Sequence, residues 1–339
     1  MNILAMEISE HFFASERHKT FYLACGPFDG PLVILLHGWP DLSIGWRHQL
    51  QYLGRAGYRA IAPDMRGYGN STVHRHHENY AQSEIVRDMV EMFESFGHEK
   101  AVWVGHDWGS PVAWNLALRH PDLVKAVVSL CVPFGFIDSL SDMEKSINRL
   151  TYPVEEFPLG QWDYVFYYQT NFEDATREME EDAHRFLKLM FRKGNPGGKG
   201  KPFFFSKITR NGGWFKKIGG VPDIPLDTDI ISEHELEIYV RHLTENGFFG
   251  PNSWYLNGDL NKAYKKGAAA LKLSMPVLFV HASFDYVCDT TTTRAAEPMR
   301  KLCTNLTEKR IHSGHWVAQE KPEELNGILT EWLHQAVDY

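Results

Sequence analysis

Short apolar runs alternate with amphipathic runs along the first part of the chain. Residues 8–24 carry apolar residues on either side of a polar centre, which predicts a hairpin. The later apolar runs lack polar alternation, as is typical of strands covered on both faces of a parallel sheet. They are residues 32–36, 58–62, a run starting at Ala101, and 126–131. Helices are predicted between them at 44–56, 80–96 and 108–120, and the second of these is amphipathic. This alternation indicates an α/β protein with a mostly parallel, doubly wound sheet.

The pattern changes after Pro133. From 134 to 252 the chain has little buried-strand signal, many aromatic residues and helical periodicity at 139–150 and 174–191, with a Gly/Pro/Lys loop at 194–202. The α/β alternation resumes with strands at 276–281 and 306–311 and a closing helix at 322–337. We therefore predict a core of residues 1–133 and 253–339, with a helical cap of residues 134–252 inserted after the sixth strand.

The sequence of residues 101–109 predicts a turn that displays a single reactive side chain. An apolar strand runs into Gly105-His106-Asp107-Trp108-Gly109 and then into a helix. Small residues two positions on either side of one polar residue are typical of a nucleophile elbow, a sharp strand-to-helix turn that displays one side chain above the sheet. That residue here is an aspartate, which is ionised at neutral pH and suits attack on a saturated carbon.

Two further polar residues follow predicted strands, where ligands bind in open parallel sheets. Asp285 comes after the strand at 276–281, and His315 comes after the last strand. The chain order of nucleophile, acid and histidine is the order found in α/β-hydrolases. Asp289 is an alternative acid and His312 an alternative histidine, although the position of His315 between a glycine and a tryptophan favours it.

Composition narrows the possible partners. The chain has 35 basic and 43 acidic residues, a net charge of −8, which argues against nucleic acid or an anionic membrane as partner. Its four cysteines lack disulfide or metal-site spacing, and no signal peptide or membrane span is apparent, so we expect a cytoplasmic protein. The histidines at 74, 76 and 77 fit a solvated loop better than a metal site. We expect no metal and no cofactor.

Together, four motifs resemble the soluble epoxide hydrolases of the α/β-hydrolase superfamily over essentially the whole chain. They are His37-Gly38-Trp39-Pro40, Gly105-His106-Asp107-Trp108-Gly109, Asp285 and Gly314-His315-Trp316. The resemblance implies the α/β-hydrolase fold and two tyrosines that hold the epoxide oxygen. The family's sequence contexts place these roles on Tyr164 and Tyr255, with Tyr167 and Tyr168 as alternatives to Tyr164.

The resemblance also implies a reaction with an apolar epoxide and water. Asp107 would attack a ring carbon to form an ester, and His315, oriented by Asp285, would activate the water that hydrolyses it. The backbone N–H groups of Trp39 and Trp108 would form the oxyanion hole, and these two residues would contact the substrate together with both tyrosines. The family further implies a cis peptide bond between Trp39 and Pro40.

Two other functions remain to be weighed. Haloalkane dehalogenases also use an aspartate nucleophile, but they typically carry Asn after His-Gly, where this chain has Trp39. A non-catalytic binding protein with this fold usually lacks part of the triad, whereas all three residues are present here. The sequence leaves open the natural substrate, the stereochemical preference, the oligomeric state and whether the loop at 194–202 controls access.

Overall fold

The computed structural model describes residues 7–266, 268 and 272–337. Its centre is one eight-stranded sheet with the strand order β1-β2-β4-β3-β5-β6-β7-β8. The strands are β1 (Ser9–Ala14), β2 (Lys19–Cys25), β3 (Leu32–Leu36), β4 (Arg59–Pro63), β5 (Ala101–His106), β6 (Val124–Leu130), β7 (Val277–Ala282) and β8 (Leu306–Ile311). Each strand predicted from the apolar pattern is present, with ends within two residues of the prediction.

Only one edge of the sheet is antiparallel. The predicted hairpin forms β1 and β2, which pair from Ser9 opposite Ala24 to Ala14 opposite Lys19, and β2 runs antiparallel to β4. From β4 across to β8 all neighbours are parallel. Every residue of β3, β5 and β7 is buried, as expected for strands covered by helices on both faces. The prediction of a mostly parallel α/β sheet is confirmed.

Fourteen α-helices occur among the described residues. They are α1 (Arg47–Arg55), α2 (Gln82–Glu94), α3 (Gly109–Arg119), α4 (Leu140–Met143), α5 (Asp163–Thr170), α6 (Phe172–Glu180), α7 (Ala183–Met190), α8 (Ile208–Asn211), α9 (Glu233–Asn246), α10 (Phe249–Ser253), α11 (Gly258–Lys265), α12 (Glu297–Leu302), α13 (Val317–Glu320) and α14 (Pro322–Ala336). Helices α1, α13 and α14 contact one another, and α2 contacts α3 and α11, so two separate groups of helices pack around the sheet. No described helix is long and apolar enough to cross a bilayer.

The polypeptide between β6 and β7 is helical, but two of its predicted helices are shorter than expected. The helix predicted at 139–150 is only α4 followed by one 3-10 turn, because Asn148 starts a new turn by accepting a hydrogen bond from Leu150 N at 3.1 Å. The helix predicted at 174–191 is divided into α6 and α7. Asp182 leaves the helical conformation there and caps α7 by accepting a hydrogen bond from Arg185 N at 2.9 Å.

Two glycines at helical positions predict opposite effects of an added methyl group on stability. A Cβ on Gly109, the first residue of α3, would lie 2.1 Å from the backbone oxygen of Leu36, whereas a Cβ on Gly327 in α14 would meet no atom within 4 Å. We expect Gly109→Ala to lower the free energy of unfolding by about 1–3 kcal/mol or more. We expect Gly327→Ala to raise it by about 0.5–1 kcal/mol. Chemical denaturation followed by circular dichroism measures both, and equal effects would contradict the close packing described for Gly109.

Candidate active site

Asp107 lies at the turn between β5 and α3, where the backbone segments approach too closely for larger residues. Its φ of 49° lies in the left-handed region, which is uncommon for a residue other than glycine. A Cβ on Gly105 would lie 2.5 Å from the backbone oxygen of Gly109, and a Cβ on Gly38 would lie 2.2 Å from Asp107 Oδ1. The glycines therefore allow the predicted elbow to form and to meet the loop after β3.

Backbone N–H groups surround the Asp107 carboxylate. Trp39 N donates a hydrogen bond to Asp107 Oδ1 at 2.7 Å, and the N–H of the adjacent residue Trp108 also favours the charged carboxylate. The Trp39–Pro40 peptide bond is cis, as expected. Burial raises the pKa of Asp107, while His315 and the two N–H groups act to lower it. The carboxylate is thus enclosed, with fixed hydrogen-bond donors on one side.

Asp285 and His315 form a direct pair at the carboxyl ends of β7 and β8. His315 Nδ1 lies 2.7 Å from Asp285 Oδ2, and Asp285 Oδ1 accepts hydrogen bonds from Val287 N at 3.1 Å and Cys288 N at 2.9 Å. Burial acts to raise the pKa of Asp285, but the charge and hydrogen bond of His315 hold it below its usual value. The acid is therefore ionised and fixed against one imidazole nitrogen.

The alternative acid and histidine lie apart from this pair. The Asp289 carboxylate accepts hydrogen bonds from Thr291 N at 3.0 Å and Thr292 N at 2.9 Å. His312 is exposed and stacks on Phe284 with ring centroids 5.9 Å apart. Neither side chain contacts the residues of the elbow, so the geometry brings together Asp107, Asp285 and His315.

His315 also faces Asp107. Its Nε2 atom lies 3.7 Å from Asp107 Oδ2, so the imidazole stands between two carboxylates. Burial acts to lower the pKa of His315, but Asp285 first and Asp107 second raise it to about 9. At neutral pH the imidazole is therefore protonated and forms an ion pair with Asp107.

Tyr164 and Tyr255 face the same space from two different elements. Tyr164 belongs to α5, Tyr255 lies in a 3-10 turn after α10, and their ring centroids are 5.6 Å apart. Their rings meet edge-on, with an interplanar angle of 76°. Burial raises the pKa of both phenols well above its usual value, with Asp107 adding to the shift. Both hydroxyl groups therefore remain protonated and able to donate.

The two other tyrosines of α5 point elsewhere. The Tyr167 hydroxyl lies 3.2 Å from Glu178 Oε1 and from the backbone oxygen of Gly212. The Tyr168 hydroxyl is directed at Met179 Sδ at 3.8 Å. Of the three candidate tyrosines in this helix, only Tyr164 lines the cavity above Asp107.

A cavity of about 600 Å³ connects these side chains. Its lining includes Trp39, Asp107, Tyr164, Tyr255 and His315, together with the aromatic residues Phe203, Phe204 and Phe205 and the loop residues 194–196. Most of its wall is therefore apolar and aromatic. Trp108 was expected to contact a substrate, but its ring packs edge-on against Tyr255 at 5.1 Å and does not line the cavity.

Sequence reasoning missed several polar residues around the site. His106 Nε2 lies 2.8 Å from the backbone oxygen of His315, and burial lowers the pKa of His106 to about 3, so it is neutral. Burial raises the pKa of Asp41, which follows the His-Gly-Trp-Pro run, to about 6. Glu320 accepts hydrogen bonds from Gly194 N at 2.9 Å and Gly314 N at 2.7 Å. Proximity to the motifs along the chain is the only sequence signal that marks them.

Potential metal ligands also converge near His315. Among the described residues, His106 and Cys131 form one such group with His315, and Asp285 and Cys288 form another. Burial, with the nearby carboxylates, raises the pKa of both thiols well above its usual value, so they are protonated and poor ligands. In the histidine-rich loop, His74 instead contacts His18 and His77 contacts Ser253.

Comparisons with known proteins agree with this geometry. The model of the alpha/beta hydrolase fold family matches residues 31–322. Epoxide hydrolase A of Mycobacterium tuberculosis is 33% identical over 311 residues, covering 89% of this chain and 90% of that protein. The chain belongs to the epoxide hydrolase family. Bifunctional epoxide hydrolase 2 of Sus scrofa is 33% identical over 90% of the chain, which spans only 51% of that protein's length.

A solved structure of this family has the same fold as the chain. The crystal structure of epoxide hydrolase A from Mycobacterium thermoresistibile superposes with a TM-score of 0.79 at 30% identity. The match covers 98% of this chain and 99% of that one. The structural similarity therefore covers both the sheet and the helical polypeptide between β6 and β7.

The two carboxylates flanking His315 predict the order in which substitutions lower its pKa. Asp285 contributes more to the raised value than Asp107 does. Replacing either by Asn removes a negative charge that stabilises the imidazolium, so the pKa of His315 falls from about 9, and it falls further in Asp285→Asn than in Asp107→Asn. NMR titration of the imidazole measures this shift. Asp289→Asn is the control, and an unchanged pKa in Asp285→Asn would contradict the pairing.

Proposed function

We propose that this protein hydrolyses an apolar epoxide to a vicinal diol through a covalent ester on Asp107. One observation carries the proposal: an apolar cavity has an enclosed carboxylate at its base, two adjacent phenols on its wall and a histidine 3.7 Å from the carboxylate. An epoxide needs these three functions, namely a nucleophile, a proton donor to its oxygen, and a base for the second step.

In the proposed first step Asp107 attacks one carbon of the epoxide ring. The C–O bond to that carbon breaks, and the ring oxygen takes a proton from Tyr164 or Tyr255. Both phenols are protonated and adjacent, so an oxygen placed beside them accepts a hydrogen bond from each. His315 as imidazolium restores the proton to the tyrosine pair through solvent in the cavity. The product is a hydroxyalkyl ester on Asp107.

The second step depends on a change of charge. Esterification removes the negative charge of Asp107, which is one of the two charges that raise the pKa of His315. The imidazole therefore loses its proton more readily and serves as a base for water, while Asp285 holds its other nitrogen. Water attacks the ester carbonyl, and the N–H groups of Trp39 and Trp108 stabilise the oxyanion. One such donor lowers the barrier by roughly 3–4 kcal/mol in a comparable site.

We also propose a division of the chain between chemistry and substrate enclosure. Residues 1–133 and 253–339 would form the catalytic core, and residues 134–252 would form a cap that covers the substrate. Cavity residues from the loop at 194–202 support a role of that loop in access. The proposed reactants are a small apolar epoxide and water, and a cytoplasmic location remains a prediction.

The contacts of Trp39 favour an epoxide over a halide. Its indole Nε1 lies 3.0 Å from Asn252 Oδ1, so this N–H is already paired with a side chain of the polypeptide between β6 and β7. A non-catalytic binding role leaves unexplained why Asp285, His315 and Asp107 stand in consecutive contact below the cavity.

Replacing His315 by Gln predicts a trapped intermediate. The variant lacks the base for ester hydrolysis but retains Asp107 and both tyrosines, so incubation with an epoxide is expected to add the mass of the epoxide to a peptide containing Asp107. Mass spectrometry of the digested protein measures the adduct, with Asp107→Asn as the unreactive control. If epoxide is consumed by the wild-type protein and no adduct forms in the variant, the two-step route is wrong.

The tyrosine pair predicts a defect confined to the first step. Removing one donor by Tyr164→Phe or Tyr255→Phe is expected to slow alkylation by about a hundredfold, the lower end of the range for acid catalysis by a positioned side chain, because the second phenol remains. Tyr167→Phe is the matched control, because this neighbouring phenol donates outside the cavity. Single-turnover kinetics measure the rate, and an equal effect in all three variants would contradict the assignment.

A panel of aryl and alkyl epoxides tests the activity itself. We expect diol formation by the wild-type protein and none by Asp107→Asn. Halide release from haloalkanes without opening of any epoxide would instead identify a dehalogenase, and binding without turnover of either class would identify a ligand-binding protein.

A further inference from the structure

Two backbone segments from distant parts of the chain touch beside His315. Gly194 follows α7, and Gly314 immediately precedes His315. A Cβ on Gly194 would lie 2.3 Å from Gly314 N, and a Cβ on Gly314 would lie 2.6 Å from Gly194 N. Neither position has room for a larger residue unless the segments move apart, so the position of the histidine turn depends on that of the segment after α7.

A single carboxylate oxygen holds this contact. Glu320, at the end of α13, accepts hydrogen bonds at Oε2 from Gly194 N at 2.9 Å and from Gly314 N at 2.7 Å. Hydrogen bonds to an ionised acceptor are roughly twice as strong as neutral ones. Lys193, next to Gly194, forms its ion pair with Asp229 at 2.5 Å. The two backbone N–H groups are therefore the principal partners of Glu320.

Further bonds fix the same segment to both turns of the acid–histidine pair. Trp316, next to His315, donates from Nε1 to the backbone oxygen of Met190 at 2.7 Å. Tyr286, next to Asp285, donates to the backbone oxygen of Asn195 at 2.8 Å. The segment 190–196 also lines the cavity through Met190, Asn195 and neighbouring residues. The wall of the cavity and the histidine are thus parts of one bonded unit.

We propose that Glu320 is a positioning residue that couples the cavity wall at 190–196 to the turn carrying His315, and so sets the geometry of ester hydrolysis. The kinetic part of this inference rests on the proposed function. Glu320 does not contact the reacting atoms. It acts through Gly314, whose displacement moves the imidazole relative to Asp107.

Glu320→Ala removes the shared acceptor and is expected to slow the second step selectively. With an epoxide substrate, we expect hydrolysis of the Asp107 ester to slow by about tenfold to a hundredfold, the cost of a displacement near 1 Å at a reacting centre. The alkylation rate is expected to change much less, so the ester accumulates. Glu320→Gln, which keeps an oxygen acceptor at this position, is expected to restore most of the rate. Rapid-quench mass spectrometry measures both steps.

A second readout requires no turnover. The proton between His315 Nδ1 and Asp285 gives a downfield ¹H NMR signal, which we expect to shift or broaden in Glu320→Ala and to be retained in Glu320→Gln. If the wild-type protein opens no epoxide, the proposed function fails while this signal still tests the coupling. Gly194→Ala separates the same segments without removing the carboxylate, and is expected to alter the signal in the same direction even if Glu320→Ala does not fold.

Glu178→Ala is the matched control. Its carboxylate also accepts two hydrogen bonds, from Phe215 N at 2.8 Å and from the Tyr167 hydroxyl at 3.2 Å, but it contacts neither turn of the pair. We expect a wild-type NMR signal and wild-type ester hydrolysis. The coupling is wrong if Glu320→Ala and Gly194→Ala both retain the wild-type signal and hydrolysis rate, or if Glu178→Ala shows the same losses.

Discussion

The close approach of backbone segments around Asp107 is the constraint on which the rest of the site depends. Gly38, Gly105 and Gly109 each lie where an added Cβ would come within 2.5 Å of another atom. This packing brings the loop after β3 against the turn after β5, and the N–H of Trp39 thereby reaches the carboxylate. The nucleophile proposed here is held by backbone contacts, so its position does not rely on the rotamers of neighbouring side chains.

Electrostatic interactions connect the elbow around Asp107 to the pair formed by Asp285 and His315. Two carboxylates flank one imidazole, and the raised pKa of His315 depends on both. The site therefore has two charge states. In one, both carboxylates are charged and His315 pairs with Asp107, and in the other only the Asp285 carboxylate is charged. Within the proposed mechanism, alkylation itself switches the site between them. The acid and base functions of a single histidine would therefore follow the progress of the reaction without any large motion.

Much of the fold and of the candidate site could be predicted because the sequence patterns that mark them lie within short stretches of the chain. The run at 32–36 and the run starting at Ala101 mark buried strands, and the glycines around Asp107 mark the elbow directly after one of them. Asp285 and His315 could be selected because the carboxyl ends of parallel strands meet at one edge. The helix boundaries in 134–252 were less accessible, since Asn148 and Asp182 end or start helices through side-chain hydrogen bonds that periodicity does not reveal.

The residues that escaped prediction act across long stretches of sequence. Glu320 meets Gly194, 126 positions away, and the ring of Trp108 packs against Tyr255 rather than lining the cavity. A single sequence contains no signal for contacts between residues so far apart along the chain.

The position of the inserted helices also divides the chemistry along the polypeptide. Asp107 precedes residues 134–252, whereas Asp285 and His315 follow them. A chain cut between β6 and β7 would leave the Asp107 carboxylate on one fragment and the acid–histidine pair on the other, with the parallel pairing of β6 and β7 joining the two fragments. Neither fragment would carry a complete site, so recovery of activity would report reassembly of the sheet.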